Sequence, residues 1–385
     1  MTRQLEGYAI VYCEGMFGTT NGKTAHGLVR FCRRYKILSV VDSRKAGKDS
    51  GKVLEKNPNG IPILASIEDA VRHSEKLKTR ATHLIVGLAP DGGRLPHYAK
   101  EDIKTALNMG LNVVSGLHDF LSEKLSLKEI AMRKGVQIID VRKPPRRDEL
   151  HFFTGKIDEV ESLKIALLGT DSAVGKRTTG WVLVKALKKL GCSVEMIGTG
   201  QTSWMQGARY CIIMDTLVND FVSGEIEHII HQAWKEQRPE VILIEGQGSL
   251  LNPAYPGGFE ILAAGRPDLV ILQHAPARKH YDGFPKSHMH PLSTQIKAIE
   301  IIGDIPVIAI TINHEDIDKK DINSVSRAIL NETGIFAFDV LIDDGEELAD
   351  LVISHLADKR ASEKKGALSP ERGGFRSKLA QMSTR

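Results

Sequence analysis

A glycine-rich loop between a predicted strand and a predicted helix constrains the fold of this chain more than any other feature. An apolar run from Ile165 to Leu168 ends at Gly169, and Lys176 follows seven positions later. Helical spacing then continues from Trp181 to Leu190. A strand, a glycine loop and a helix in this order predict a phosphate-binding loop, because loop amides, a helix N-terminus and a lysine ammonium converge on one anion.

The loop departs from the usual phosphate-loop pattern in two ways. Five residues separate Gly169 from Gly175, where the usual number is four. Arg177 occupies the position where a serine or threonine hydroxyl normally binds Mg²⁺. Thr178 follows directly, but one helical step is a rotation of roughly 100°, so its hydroxyl points in another direction. The pattern therefore favours phosphate binding over metal-dependent nucleotide hydrolysis. The predicted phosphate-binding residues are Gly169, Thr170, Asp171, Ser172, Ala173, Val174, Gly175, Lys176, Arg177 and Thr178.

Length and composition predict a two-domain globular protein. The chain has 385 residues, of which 42% are hydrophobic and 26% are charged. The net charge is only +4, and much of the excess lies in a linker and in the C-terminal tail. This distribution argues against a nucleic-acid partner.

The cysteines and the apolar segments indicate the compartment. The four cysteines are scattered and form no CxxC pair, which is typical of a reducing environment. Neither a signal peptide nor an apolar stretch approaching the roughly 18 residues of a membrane span is predicted. We therefore expect a cytoplasmic protein with a small-molecule substrate and no membrane partner.

Strand-like and helix-like segments alternate along both halves of the chain, which predicts parallel α/β sheets. We expect a first domain over 1–141, a linker over 142–150 with two prolines and several charges, and a second domain over 151–358. The polar segment 359–385 is predicted to be a disordered tail.

Polar clusters follow several predicted strands, and ligands bind beyond the carboxyl ends of strands in open parallel sheets. Glu245 ends an apolar run and is followed by Gln247, which makes it a candidate proton acceptor. Other predicted site residues that follow strands are Gln201, Thr202, Asp215, His274 and Arg278. Arg278 is suited to a substrate carboxylate. The His288-x-His290 pair alone does not predict a metal site, and we expect none.

One part of the chain resembles dethiobiotin synthetase and its P-loop relatives: the opening Gly169-Thr-Asp171, the Gly175-Lys176 pair and the Glu245-Gly turn. Those proteins have threonine where this chain has Arg177. A wider resemblance extends to about residue 355. Its motifs are Gly87-Leu-Ala-Pro-Asp-Gly-Gly93, Gly116-Leu-His-Asp-Phe-Leu121, Lys176-Arg-Thr-Thr179, Gly198-Thr-Gly-Gln-Thr202, Glu245-Gly-Gln-Gly248 and Leu272-Gln-His-Ala-Pro276. They are similar to a bacterial and archaeal family long labelled only as a domain of unknown function.

That resemblance implies an N-terminal Rossmann-like domain, a C-terminal P-loop domain and, as in some members, D-glutamate N-acetyltransferase activity with acetyl-CoA. The base would then be Glu245, Asp215 or His274, in this order of preference. Two alternatives stay open. One is an ATP-dependent kinase or carboxylate-activating ligase, in which Thr178 replaces the missing Mg²⁺ ligand, and the other is a nucleotide-sensing protein without turnover. The sequence also leaves a homo-oligomer open.

Overall fold

The computed structural model describes residues 5–367, which form two parallel sheets with flanking helices and a small antiparallel hairpin. The first half comprises β1 (Gly7–Tyr12), α1 (Lys23–Arg30), β2 (Tyr35–Val41), α2 (Ser50–Glu55), β3 (Ile63–Leu64), α3 (Ile67–Lys76), β4 (His83–Val86), α4 (Ala99–Asn108), β5 (Asn112–Ser115), α5 (Leu125–Lys134) and β6 (Ile138–Asp140). The second half comprises β7 (Leu163–Gly169), α6 (Lys176–Lys189), β8 (Val194–Gly198), α7 (Gln201–Gln206), β9 (Tyr210–Cys211), α8 (Asn219–Gln237), β10 (Val241–Glu245), α9 (Phe259–Gly265), β11 (Leu269–His274), β12 (His280–Tyr281), β13 (Phe284–His288), α10 (Leu292–Gly303), β14 (Val307–Ile312), α11 (Ile322–Thr333), β15 (Ala337–Phe338) and α12 (Glu346–Ala367).

The N-terminal sheet has the strand order β3-β2-β1-β4-β5-β6, and all of its strands are parallel. This is the order of a doubly wound dinucleotide-binding fold, with the order reversing between β1 and β4. The central strand β1 is apolar throughout its buried part because helices cover it. The predicted parallel α/β architecture is confirmed for this half.

The C-terminal sheet has the order β15-β14-β11-β7-β10-β8-β9, also parallel. All seven residues of the central strand β7 are buried, as expected for a strand covered on both faces. Helices α6 and α12 contribute Leu187 and Val352 to the core on one face. Helices α8 and α10 contribute Ile230 and Ile296 to the core on the other. The predicted phosphate-binding loop follows β7 and therefore leaves the middle of the sheet.

The C-terminal helix is longer than the sequence predicts. Helix α12 continues to Ala367, so residues 359–367 are helical and do not belong to a disordered tail. Lys359 Nζ donates to the backbone oxygen of Ser162 at 3.0 Å and to Asp268 at 3.2 Å, which ties this helix to the start of β7. The remainder of the predicted tail lies outside the described residues.

Helix α7 joins the two halves of the protein. Its Met205 is fully buried in the core of the N-terminal domain. Gln206 Nε2 donates to the backbone oxygens of Gly27 (2.7 Å) and Phe31 (2.9 Å) on and just after α1. The Thr202 and Thr24 hydroxyls share a hydrogen bond of 3.1 Å. Residues that follow β8 thus pack against the residues that follow β1.

A second contact joins the ends of later strands. Arg142, which follows β6, pairs with Asp215, which follows β9, at 2.6 Å. Together these contacts place the carboxyl ends of strands from both sheets along one seam between the domains. Within residues 5–367, every helix is too short or too polar to cross a bilayer.

Candidate functional site

The backbone of residues 169–176 forms the loop predicted from the sequence. It leaves β7 at Gly169 and enters α6 at Lys176. Gly175 has φ of +109°, a conformation that favours glycine, and Ala173 has φ of +52°. Within the described part of the chain, the amides of residues 175–178 have no hydrogen-bond acceptor. Free amide donors at the start of a helix are suited to an anion.

Lys176 lies inside this loop. Its Nζ donates to the backbone oxygens of Asp171 (2.8 Å) and Gly248 (2.7 Å). Burial lowers the pKa of the ammonium to about 8, although the Asp171 and Glu245 carboxylates act in the opposite direction. The lysine is therefore held where it can meet a phosphate, and its charge depends on pH near neutrality.

Asp171 holds the loop in shape. It is wholly buried and accepts hydrogen bonds from Asn252 Nδ2 (2.7 Å), Arg278 Nη1 (2.9 Å) and the amide of Asp282 (2.8 Å). Because Arg278 also pairs with Glu315 at 2.6 Å, its guanidinium has two carboxylate partners already. The structure thus places Arg278 in support of the loop, and its contact with a substrate carboxylate stays a prediction.

Glu245 ends β10 beside the loop. Only 3% of it is exposed, and its Oε2 accepts from the amide of Thr199 (3.0 Å) and the hydroxyl of Ser203 (2.5 Å). Its Oε1 lies 3.5 Å from Arg177 Nη1. The side chain is therefore a buried, fully paired carboxylate that neutralises Arg177.

Arg177 also reaches the N-terminal domain. A side-chain carbon at Gly27 of α1 would lie only 3.2 Å from Arg177 Nη2. The guanidinium thus fills the space between Glu245 and α1, and glycine at position 27 leaves room for it. This is the residue that replaces the usual magnesium-binding hydroxyl.

The remaining predicted polar residues lie along the seam. Gln247 Nε2 donates to Thr199 Oγ1 at 3.0 Å, and a side-chain carbon at Gly116 would lie 2.6 Å from Gln201 Cγ. Thr202 contacts the N-terminal domain as described above. Asp215 is held by Arg142, whose Nε and Nη2 both donate to it. Gln201, Thr202 and Asp215 therefore contact the N-terminal domain, and Gln247 contacts the Thr199 turn that precedes them.

His274 ends β11 on the other side of the loop. Its Nδ1 shares a 3.0 Å hydrogen bond with Thr170 Oγ1. Burial, assisted by the nearby Arg278 cation, lowers the pKa of His274 to about 4, so the ring is neutral near pH 7. Within residues 5–367, no group of three or more histidine, cysteine, aspartate or glutamate residues is arranged to hold a metal ion.

Sequence reasoning missed several residues that support the site. Gln273 Oε1 accepts from the buried hydroxyls of Thr179 and Thr311, and the second of these bonds measures 2.7 Å. Asn252 and Asp282 come from loops that no local pattern connects with residue 171. Gln273 is the glutamine of the Leu272-Gln-His-Ala-Pro276 motif, and its place in that motif is the one available signal for it. The others depend on long-range packing.

Comparison with known proteins agrees with this architecture. Residues 43–144 match the model of a Rossmann-like domain of unknown function (DUF1611_N), and residues 151–349 match the model of a P-loop domain of unknown function (DUF1611_C). A crystal structure of a DUF1611 family protein from Anabaena variabilis ATCC 29413 is similar, with a TM-score of 0.82 at 26% identity, over 91% of this chain and all of that one.

Two curated relatives are named D-glutamate N-acetyltransferase. The protein from Pseudoalteromonas sp is 29% identical over 275 residues, which cover 70% of this chain and 80% of the relative. The protein from Tritonibacter scottomollicae is 26% identical over 266 residues, which cover 67% and 77%. The chain, with its Rossmann-like and P-loop domains, belongs to the DUF1611 family.

Proposed function

We propose that this protein is an N-acetyltransferase that moves an acetyl group from acetyl-CoA to the amine of an acidic D-amino acid such as D-glutamate, in the cytoplasm and within D-amino-acid catabolism. The names of the two curated relatives support the reaction class and the acceptor. All four cysteines are free thiols, which supports a reducing compartment.

The chemistry of the loop fits the phosphates of coenzyme A. The free amides of residues 175–178 and the Lys176 ammonium supply the donors and the charge that a diphosphate requires. The loop follows the central strand β7, and the contacts of Asp171 hold it in shape. Lys176 would move from the Asp171 and Gly248 oxygens to the phosphate oxygens.

The Arg177–Glu245 pair supports this proposal most directly. In a nucleotide-hydrolysing P-loop protein the residue after the lysine binds Mg²⁺, and the metal neutralises charge that develops on the transferred phosphoryl group. Here a guanidinium occupies that position and a buried carboxylate neutralises it at 3.5 Å. Such a loop is suited to hold a diphosphate that stays intact, which is how an acyltransferase uses coenzyme A.

The same contacts limit what Glu245 can do. Its Oε2 is occupied by the Thr199 amide and the Ser203 hydroxyl, and its Oε1 faces Arg177, so the carboxylate is engaged within the protein. We assign Glu245 to positioning Arg177 and the Thr199 turn. The neutral His274 and Thr170 would contribute polar contacts beside the phosphates.

Release of free thiol from acetyl-CoA measures the proposed reaction. The purified protein should release thiol with D-glutamate and far less with L-glutamate or neutral D-amino acids, at the same rate with EDTA or with Mg²⁺. Lys176→Ala should weaken acetyl-CoA binding, measured by isothermal titration, and unchanged affinity would reject the phosphate-loop assignment. Mg²⁺-dependent release of ADP from ATP, without thiol release, would instead identify a kinase or ligase.

A further inference from the structure

The thioester of a coenzyme A held in the loop must lie far from its phosphates. The pantetheine arm spans about 15 Å when extended, by ordinary bond lengths. Glu245 and His274 lie directly beside the loop, and Asp215 is held in an ion pair with Arg142. An unpaired side chain further along the seam between the domains therefore suits the role of base better than these three residues.

The loops that follow β4 and β5 meet at that seam. The amide of His118 donates to the backbone oxygen of Gly93 at 2.7 Å. The amide of Leu95 donates to Asp119 Oδ2 at 2.8 Å. These two hydrogen bonds join the loops and fix the backbone that carries the His118 ring.

The glycine turn in the loop that follows β4 makes room for the His118 ring. Gly92 and Gly93 have φ of +71° and +61°, which a residue with a side chain adopts only with strain. A side-chain carbon at Gly93 would lie 2.3 Å from His118 Cδ2 and 3.2 Å from its Nε2. The imidazole thus rests directly on the backbone of the turn.

The surroundings of His118 connect it to the phosphate loop. Gly116, two residues earlier, contacts Gln201, and its backbone oxygen accepts a hydrogen bond from Arg142 Nη1. Gln201 follows Thr199, which binds Glu245 and Gln247. His118 is therefore linked to the phosphate loop through Gly116, Gln201 and the Thr199 turn.

The ring is available to accept a proton. His118 is exposed, and within the described residues its ring nitrogens have no hydrogen-bond partner. Partial burial and the Arg142 cation lower its pKa, while the Asp215 and Asp119 carboxylates act in the opposite direction. The net shift keeps the imidazole neutral near pH 7.

We propose that His118 is the catalytic base that accepts the proton from the acceptor's amine in acetyl transfer. The amine nitrogen, which enters as the free base, bonds to the thioester carbonyl carbon, and the carbon–sulfur bond breaks with its electron pair leaving on sulfur. His118 takes the proton from the attacking nitrogen and returns it to the thiolate. The products are the N-acetyl amino acid and free coenzyme A. This inference rests on the proposed function.

The decisive measurement compares His118→Ala with His97→Ala, a control at an exposed histidine of the loop that follows β4. We expect His118→Ala to lower kcat by about 100-fold or more, the usual contribution of a general base, with acetyl-CoA affinity unchanged. The acid limb of the wild-type pH–rate profile should disappear, and added imidazole should restore part of the rate. His97→Ala should behave as wild type.

The outcomes separate the two proposals. If the wild type releases no thiol from acetyl-CoA with any acceptor, the proposed function fails, and the role of His118 fails with it. If the wild type is active and His118→Ala retains its kcat or its acid limb, only the role of His118 is rejected. The variant His118→Gln keeps a polar side chain and controls for misfolding. If His118→Gln folds and is inactive, the role of His118 as the base is supported. If His118→Gln is active, that role is overturned.

Discussion

Coenzyme A should bind this protein less tightly as the pH rises through 8, because the Lys176 ammonium loses its proton there. Burial lowers the pKa of Lys176 to about 8 in the free protein. A bound diphosphate adds negative charge around the ammonium and raises that pKa again. At pH 7 most of the lysine is already protonated and binding takes up little proton. As the pH rises through 8, a growing share of binding events takes up a proton from solvent, which weakens the observed affinity.

The size of the effect follows from the free-state pKa. With a pKa of about 8, Lys176 is about nine-tenths protonated at pH 7 and about one-tenth protonated at pH 9. If the bound lysine stays protonated at both values, Kd rises about tenfold between them, or about 1.4 kcal/mol. The diphosphate itself keeps its charge over this interval, so the change reports the lysine.

Isothermal titration of coenzyme A at pH 7, 8 and 9 measures this dependence. Buffers with different heats of ionisation should reveal proton uptake at pH 9 and almost none at pH 7. Two variants serve as controls. Lys176→Met should bind weakly at every pH, and Lys176→Arg should show a flat profile because its guanidinium stays charged. A wild-type Kd that is constant from pH 7 to 9, or a tenfold change that persists in Lys176→Met, would refute the reasoning.

Two further predictions concern stability. Arg177→Met leaves the buried Glu245 carboxylate without the guanidinium and should lower the free energy of unfolding by about 1–3 kcal/mol. The double variant Arg177→Met/Glu245→Gln should recover part of that loss. Equal melting temperatures for the wild type and Arg177→Met would contradict the pairing. Gln206→Ala removes two hydrogen bonds to backbone oxygens of the N-terminal domain and should cost a similar amount. Limited proteolysis within 142–150 should then be faster, and an unchanged cleavage rate would show that α7 does not hold the domains together.

The strands that carry the site could be predicted closely, because a buried parallel strand is a short apolar run with clear ends. The apolar run from Ile165 to Leu168 lies within β7, and Glu245, which ends a second apolar run, is the last residue of β10. Short polar elements could not be predicted in this way. Helix α7 has six residues and includes two glutamines, a serine and a threonine, so its burial against α1 leaves no apolar periodicity to read.

The sequence by itself predicted the strand, glycine loop and helix around Lys176, because these three elements are adjacent in the chain and form a local structure. It also placed Arg177 beside that lysine and located Glu245 at the end of a strand. Only the tertiary structure decided what these side chains do. Asp171 meets Arg278 from 107 residues away, Arg142 meets Asp215 across 73, and the Thr24 and Thr202 hydroxyls meet across 178. Such pairings depend on how two sheets pack at their carboxyl ends, and no spacing along the chain encodes that packing.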